Sequence, residues 1–256
     1  MSGYNAFASA YDKLTDNVEY KKRADYISTL FERYGVKGKE PVLDLACGTG
    51  SLTVELAKLG YEMIGVDSEP AMLAQAQNKK YDENVDILFL CQQMTELDLF
   101  GTISAAVCTL DSLNHLNSAE EVQKTIEKVG LFMEHGGIFI FDVNTIYKHR
   151  EILANNTFVY DCDDVYCVWQ NSLNKDDSVD ISLDIFEYED GAYYRSTEDF
   201  SEKAYPIDNY KKWLANADFE ILHIYDEMSD RDFNNKTQRA VFVARYNGYK
   251  NKSEER

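Results

Sequence analysis

Two aspartates stand in or at the end of short apolar runs of the kind that form buried strands. Asp44 lies in the run 42–45, which leads into the small residues 46–50, and Asp67 closes the run 63–67. A turn of small residues after a buried strand lets a ligand approach the backbone. An acidic side chain at the end of the following strand can accept both ribose hydroxyls of an adenosine. The two stretches therefore predict a nucleoside site at one edge of an open α/β sheet.

The spacing of the glycines narrows the choice of nucleoside. Gly48 and Gly50 match the first two glycines of the dinucleotide fingerprint Gly-x-Gly-x-x-Gly, but Thr53 stands where the third is required. Asp44 would repel a phosphate, whereas it suits a ligand that carries an ammonium group. An NAD-linked reductase would also place an acid at Asp67, so that class is an alternative, which the missing glycine disfavours.

Three stretches of the sequence carry a family resemblance. Asp-Leu-Ala-Cys-Gly-Thr-Gly at 44–50 closely resembles motif I of the class I S-adenosylmethionine (SAM) dependent methyltransferases, with Ala46 in place of the usual first glycine. Gly-Val-Asp-Ser-Glu-Pro-Ala-Met-Leu at 65–73 looks like motif II. The stretch 4–12, together with 18–20, resembles the N-terminal segment of the bacterial YqeM-type subgroup. The resemblance implies an enzyme that moves a methyl group from SAM to an acceptor by in-line displacement.

The resemblance also implies which residues bind the cofactor. In the subgroup the N-terminal segment lies over the cofactor, so Tyr11 is a candidate lid residue whose ring would attract a sulfonium, with plain core packing as the alternative. Asp44 is expected to face the amino-acid end of the cofactor and Asp67 its ribose, although Asp67 could instead cap the following helix. Gln93 or Met94 is expected to contact the adenine, with an exposed polar loop as the alternative. The expected cofactor-binding residues are Tyr11, Asp44, Ala46, Cys47, Gly48, Asp67, Ser68, Met72, Gln93, Met94, Leu110 and Asp111, and no metal ligand is expected.

Polar residues follow the fourth apolar run, 103–110. Asp111, Ser112, Asn114 and His115 occupy the place where, in class I folds, the acceptor meets the methyl group. Asp111 stands at the strand end and is expected to position the cofactor or the acceptor. His115 is either a general base or a structural histidine. The sequence identifies no catalytic residue, because SAM is a strong donor and its reaction mainly needs a near-attack geometry.

Hydrophobic periodicity predicts the fold class. Strand and helix patterns alternate in the first part of the chain, including a helix over 118–133 that ends at Gly136-Gly137 and a fifth strand over 138–143. From about 157 to 201 apolar and polar residues alternate with period two, which predicts an antiparallel meander. Periodicity therefore predicts an α/β fold with a mostly parallel sheet and a small antiparallel β lobe inserted after strand 5. The resemblance implies that the sheet is Rossmann-like and seven-stranded, with an antiparallel last strand.

The periodicity and the family resemblance together predict the domain organisation. We expect a methyltransferase domain formed by 1–150 and 206–248, with an N-terminal helical lid over about 1–35. The lobe over 155–205 should emerge at the carboxyl edge of the sheet and cover the acceptor site. Residues 249–256 are expected to form a charged tail.

Composition restricts the partners. The formal net charge of -19 disfavours a nucleic-acid or membrane-surface substrate, so a small-molecule acceptor is expected. The five cysteines include no Cys-x-x-Cys pair, and no secretory or membrane-spanning pattern is present, which favours a cytoplasmic protein. An RNA or protein methyltransferase and a non-catalytic SAM-binding regulator are alternatives. The sequence leaves the acceptor and the oligomeric state open.

Overall fold

The computed structural model describes residues 11–36, 41–162 and 164–248. The first part of the expected lid, residues 1–10, and the expected tail, 249–256, lie outside this range. Residues 11–14 are helical, and helix α1 follows at Tyr20–Tyr34. Ala24, Ile27, Leu30 and Phe31 of α1 are buried at helical spacing, so one face of this helix packs on the core.

A seven-stranded sheet forms the centre of the molecule. Its strands run in the order β10-β11-β5-β4-β1-β2-β3. The five neighbouring strands β5, β4, β1, β2 and β3 are parallel to one another. Strand β11 runs antiparallel to both of its neighbours, β5 and β10. The prediction of a mostly parallel sheet with an antiparallel last strand is therefore confirmed. The bounds are β1 Pro41–Leu45, β2 Glu62–Asp67, β3 Ile87–Cys91, β4 Ile103–Cys108, β5 Met133–Asn144, β10 Phe219–Asp226 and β11 Arg239–Tyr246.

Helices cover both faces of this sheet. They are, besides α1, α2 Ser51–Lys58, α3 Pro70–Asp82, α4 Ala119–Phe132 and α5 Ile207–Asn216. On one face, α4 and α5 cover an aromatic core in which Phe141 and Phe242 stack with ring centroids 4.7 Å apart. On the other face, α1 and α2 pack over Val42 and Ile140. Within the described part of the chain, no helix combines the length and apolarity needed to cross a membrane.

The start of β5 differs from the expected one. Met133, expected on the preceding helix, is the first residue of β5, and the pair Gly136-Gly137 lies inside the strand. Met133 pairs with Ile103 and Ile138 pairs with Ala105, so four residues of β5 lie between these pairs where β4 has only Ser104. Gly136 adopts a φ of +85°, which lets the extra residues leave the ladder as a bulge. The glycines therefore bend the strand and do not end the helix.

A second sheet has four antiparallel strands in the order β6-β7-β8-β9. Their bounds are β6 Thr157–Cys162, β7 Val165–Leu173, β8 Ser178–Glu189 and β9 Ala192–Lys203. The predicted meander is thus present after β5, and a π-helical segment that was not predicted, Lys148–Leu153, leads into it. Val179, Ile181, Leu183 and Ile185 alternate on the buried face of β8, and Leu14 packs against the same cluster.

Candidate functional site

The turn after β1 has an unusual backbone. Ala46, Gly48 and Gly50 all adopt positive φ angles, of 59°, 55° and 73°. At Gly50 an added Cβ would lie 2.8 Å from the Cβ of Ala76, so the turn packs on α3 and only glycine fits there. At Gly48 an added Cβ would meet nothing within 4 Å. The turn is therefore closely packed at Gly50 and open at Gly48, where a ligand can approach the backbone.

Asp67 is joined to this open part of the turn. Its Oδ2 accepts the backbone N–H of Gly48 at 2.8 Å, and its Oδ1 accepts the N–H of Glu69 at 2.9 Å. Burial raises the pKa of this carboxyl, while the two N–H bonds act in the opposite direction. Each carboxylate oxygen can accept a further hydrogen bond, so Asp67 has acceptor capacity left for ligand hydroxyls.

Asp44 lies beneath the turn. Only 2 % of its surface is exposed, and Thr53 Oγ1 donates a hydrogen bond of 2.6 Å to its carboxylate. Burial, assisted by the charge of Asp67, raises the pKa of Asp44 to about 7 against the opposing effect of Thr53. Thr53, which replaces the third glycine of the dinucleotide pattern, is thus the hydrogen-bond partner of Asp44. The same surroundings raise the pKa of the Cys47 thiol, first through burial and then through both carboxylates.

The ends of β4 and β5 meet at a second cluster. Asp142 Oδ2 accepts the N–H of Leu110 at 3.0 Å, and Oδ1 accepts the N–H of Asp111 at 2.8 Å. Leu110 and Asp111 have positive φ angles of 58° and 55°. Two consecutive non-glycine residues in this conformation are strained, and the two hydrogen bonds to one buried carboxylate hold them there.

Arg239 links the two carboxylates of this cluster. Its guanidinium bonds Asp111 at 2.7 Å and Asp142 at 2.5 Å, and Arg23 bonds Asp142 at 3.1 Å from the other side. Burial alone would raise the pKa of Asp111, but the charges of Arg239, Lys148 and His115 outweigh it and hold this pKa well below its usual range. Asp111 is therefore ionised at neutral pH. Burial and the neighbouring Arg239 lower the pKa of Lys148.

Glu202 of β9 joins the second sheet to this cluster. This residue is 3 % exposed, and Asn144 Nδ2 donates hydrogen bonds to Glu202 at 2.8 Å and to Asp111 at 2.6 Å. His115 Nε2 lies 3.9 Å from one Glu202 oxygen, and the buried His149 Nε2 lies 3.7 Å from the other. At the junction of the two sheets, the carboxylate of Glu202 therefore lies beside one amide and two imidazoles.

The structure brings some of the expected cofactor residues together. Asp67 and Gly48 are in direct contact, and Tyr11 lies close enough to Tyr20 and Asp111 for their charges to raise its pKa further, after burial as the main cause. The side chains of Ser68 and Gln93 are exposed, whereas Met72 and Met94 pack partly or fully against the interior. Contacts of Ser68, Met72, Gln93 and Met94 with the cofactor stay predictions.

Several residues of the site were not expected from the sequence. They are Arg23, Asp142, Asn144, Lys148, Glu202 and Arg239. Asp142 and Asn144 stand at the carboxyl end of a buried run, the same signal that identified Asp67, so this position could have been found. Arg23, Arg239 and Glu202 come from elements distant in sequence, and only the folded chain places them here.

Comparison with known proteins identifies the family. Residues 42–137 match the model of a methyltransferase domain family. A Geobacillus protein named as a methyltransferase is 34% identical over 244 residues, which cover 94% of this chain and 99% of the relative. A crystal structure of a SAM-dependent methyltransferase from Clostridium acetobutylicum superposes with a TM-score of 0.88 at 32% identity, over 96% of this chain and 99% of that one. The chain belongs to the SAM-dependent methyltransferase family.

Two further methyltransferases are similar to this one, and the first of them identifies its subgroup. YqeM of Bacillus subtilis, also named as a methyltransferase, is 32% identical over 94% of this chain and 96% of its own length, which confirms the predicted resemblance. A glycine/sarcosine/dimethylglycine N-methyltransferase of Actinopolyspora halophila is 26% identical over 86% of this chain and 38% of its own length. SAM is the cofactor of the family, and the open backbone at Gly48 with the carboxylate of Asp67 beside it is the place where the sequence predicts its ribose.

Proposed function

We propose that this enzyme methylates a small-molecule amine that it binds between the carboxyl edge of the main sheet and β9. The observation that carries the proposal is a row of side chains on one face of β9. Ser196, Glu198, Phe200 and Glu202 alternate along the strand and pair with the buried residues of β8. This row includes two carboxylates, and the aromatic ring of Phe200 lies between them along the strand.

Two atoms of this row lack a partner. Among the described residues, Glu198 Oε1 and Ser196 Oγ are buried with no hydrogen bond. Burial raises the pKa of Glu198, and the charges of Asp199 and Glu69 raise it further. A buried carboxylate oxygen without a hydrogen-bond partner is costly, and a cationic ligand would relieve that cost. The backbone N–H of Glu69 donates to Asp67, and the charge of Glu69 acts on Glu198. The β9 row therefore lies near the turn on which the cofactor is expected.

A protonated amine satisfies these groups. Its ammonium would donate hydrogen bonds to the carboxylates of Glu198 and Glu202, and the ring of Phe200 would attract its charge. His115, whose ring centroid lies 5.2 Å from that of Phe200, stands beside the row. The relative that acts on glycine, sarcosine and dimethylglycine supports an amine, and the net charge of -19 counts against RNA.

The chain's own residues have a clear chemical task. An ammonium has no lone pair, so the acceptor must first lose a proton, and Glu202 with His115 at 3.9 Å is placed to take it. SAM, when bound, supplies an electrophilic methyl group. The second sheet would hold the neutral nitrogen toward that methyl group and exclude water from the reacting atoms. We place residues 155–205 as the lobe that covers the acceptor.

The compartment follows from cysteine chemistry. All five cysteines are free thiols, and two of them, Cys108 and Cys167, are buried. Free thiols persist in a reducing environment, so we place the enzyme in the cytoplasm.

Label transfer from radioactive SAM to a fractionated cell extract tests the amine acceptor. We expect label in small molecules that cation exchange retains, with Glu198→Gln lowering the transfer by about tenfold or more while SAM binding is unchanged. Thr197→Ala, at an exposed position on the outward face of the same strand, is the matched control and should transfer normally. Label in RNA, protein or uncharged metabolites would contradict the proposal, and no label in any pool would favour a non-catalytic SAM-binding regulator.

A further inference from the structure

A four-residue cluster ties residues 11–18, here called the N-terminal segment, to the turn 46–50 on which the cofactor is expected. Lys79 Nζ forms an ion pair of 2.6 Å with Asp12 Oδ2. The same ammonium donates to Ser51 Oγ at 2.6 Å and to Thr49 Oγ1 at 2.9 Å. Thr49 Oγ1 in turn donates to Asp12 Oδ1 at 2.7 Å. The ammonium of Lys79, which is half-buried, therefore joins helix α3 to both the N-terminal segment and the turn.

The position of Asp12 determines where Tyr11 lies. The two residues are adjacent on one helical turn, and Tyr11 is close to both Asp111 and Tyr20. Asp12 is thus fixed above the end of β1 while Tyr11 is fixed beside the end of β4. The short segment crosses the carboxyl edge of the sheet between the two strand ends, where the cofactor is expected.

We propose that the Lys79–Asp12 ion pair is a latch that holds the N-terminal segment closed over the bound cofactor and limits the rate at which the cofactor leaves. The proposal rests on the proposed position of the cofactor beside Gly48 and Asp67. Lys79 is a positioning residue, because it acts on the segment through Asp12. The latch is half-exposed, with 27% of the Lys79 side chain and 36% of the Asp12 side chain accessible, so it can open without unfolding the core.

The neighbouring lysine provides a matched control. Lys80, on the same helix, donates to the backbone carbonyl of Ile87 and pairs with Asp86 at 3.5 Å. It has the same charge and belongs to the same turn of α3, but its bonds run to β3 and not to the N-terminal segment. A change in overall charge or in the stability of α3 would affect Lys79→Met and Lys80→Met alike, whereas loss of the latch affects only the first.

The experiment measures the dissociation rate of S-adenosylhomocysteine (SAH), the demethylated product of SAM, by surface plasmon resonance. Lys79→Met and Asp12→Asn should each raise this rate about three- to fivefold, and Lys79→Arg should restore most of the slow rate. Raising KCl from about 0.05 to about 0.5 M should speed dissociation from the wild type but not from Lys79→Met, because the salt screens a partly exposed pair.

Equal rates for the wild type and Asp12→Asn, or an equal rise in Lys79→Met and Lys80→Met, would overturn the latch. Asp12 belongs to the segment and not to the core, so its variant gives an answer even where Lys79→Met folds poorly. Binding of SAH by the wild type, measured in the same run, tests the cofactor site separately from the latch. The identity of the acceptor has no influence on this measurement.

Discussion

The carboxylate of Asp142 accepts the backbone N–H of Asp111 at 2.8 Å, so β5 fixes the strained end of β4. Arg239 bonds both side chains and neutralises part of their charge. Asp142 is 1 % exposed, and water cannot replace the guanidinium there. The orientation of Asp111, and with it the proposed acceptor side of the site, therefore depends on Arg239 of β11.

Replacing this arginine should be costly. Arg239→Met leaves two carboxylates without their main counter-charge, and we expect it to lower the free energy of unfolding by about 3–5 kcal/mol. Urea denaturation at neutral pH measures the loss. Arg245→Met, at the other end of the same strand, should cost about 1 kcal/mol or less. Similar losses in the two variants would mean that Arg239 contributes only through packing of its aliphatic part.

The raised pKa of Asp44 predicts that the free energy of unfolding decreases as the pH rises, the opposite of what a salt-bridged carboxylate causes. Its pKa rises from 3.8 in the unfolded chain to about 7 in the folded one, so the folded state binds the proton more tightly. Stability therefore falls as the pH rises from about 4 to about 7, when the buried group is forced to ionise. Asp44→Asn has no such proton to lose. The stability of the variant relative to the wild type should increase by about 2–4 kcal/mol between about pH 4.5 and about pH 8.

Comparing the two proteins by denaturation at both pH values isolates this group, because all other titrating residues are shared. A difference that stays constant between the two pH values would show that Asp44 is ionised throughout. It would also mean that the bond from Thr53, together with water, keeps the pKa of Asp44 near its ordinary value.

Ala46 is strained in a way that glycine relieves. Its φ of 59° is in the left-handed region, and motif I of the class I SAM-dependent methyltransferases usually has glycine at this position. Ala46→Gly should raise the free energy of unfolding by about 0.5–1 kcal/mol, as measured by thermal or urea denaturation. Ala57→Gly, in helix α2, should have the opposite effect by about 1 kcal/mol. A destabilised Ala46→Gly would indicate that the methyl group of Ala46 makes packing contacts that outweigh the strain.

The strand and turn patterns predicted the parts of this structure that depend on local sequence. Glycine at position 50 and aspartate at position 67 are dictated by close packing on α3 and by a strand end, and both features are visible in a few consecutive residues. The meander after β5 was likewise visible as a period of two. The start of β5 was not visible in the sequence. A glycine pair can end a helix or form a bulge in a strand, and here the pairing of β5 with β4 decides between the two.

The acceptor side shows the limit of sequence reasoning most clearly. Asp111 was expected there, but Arg239 lies 128 positions further along the chain. Glu202 comes from the inserted sheet, whose sequence departs from the family pattern. Long-range pairs of this kind have no local signature, since each partner alone looks like an ordinary charged residue on a strand.

Isothermal titration with SAH tests the central claim, that Asp67 and the open turn at Gly48 bind the adenosyl part of the cofactor. The wild type should bind SAH with a dissociation constant of the order of micromolar, and Asp67→Ala should bind at least about a hundredfold more weakly, as expected when hydrogen bonds to a charged group are lost. Asp86→Ala, at an exposed carboxylate, should bind like the wild type. Unchanged affinity in Asp67→Ala, with the fold verified by circular dichroism, would contradict the assignment of this site.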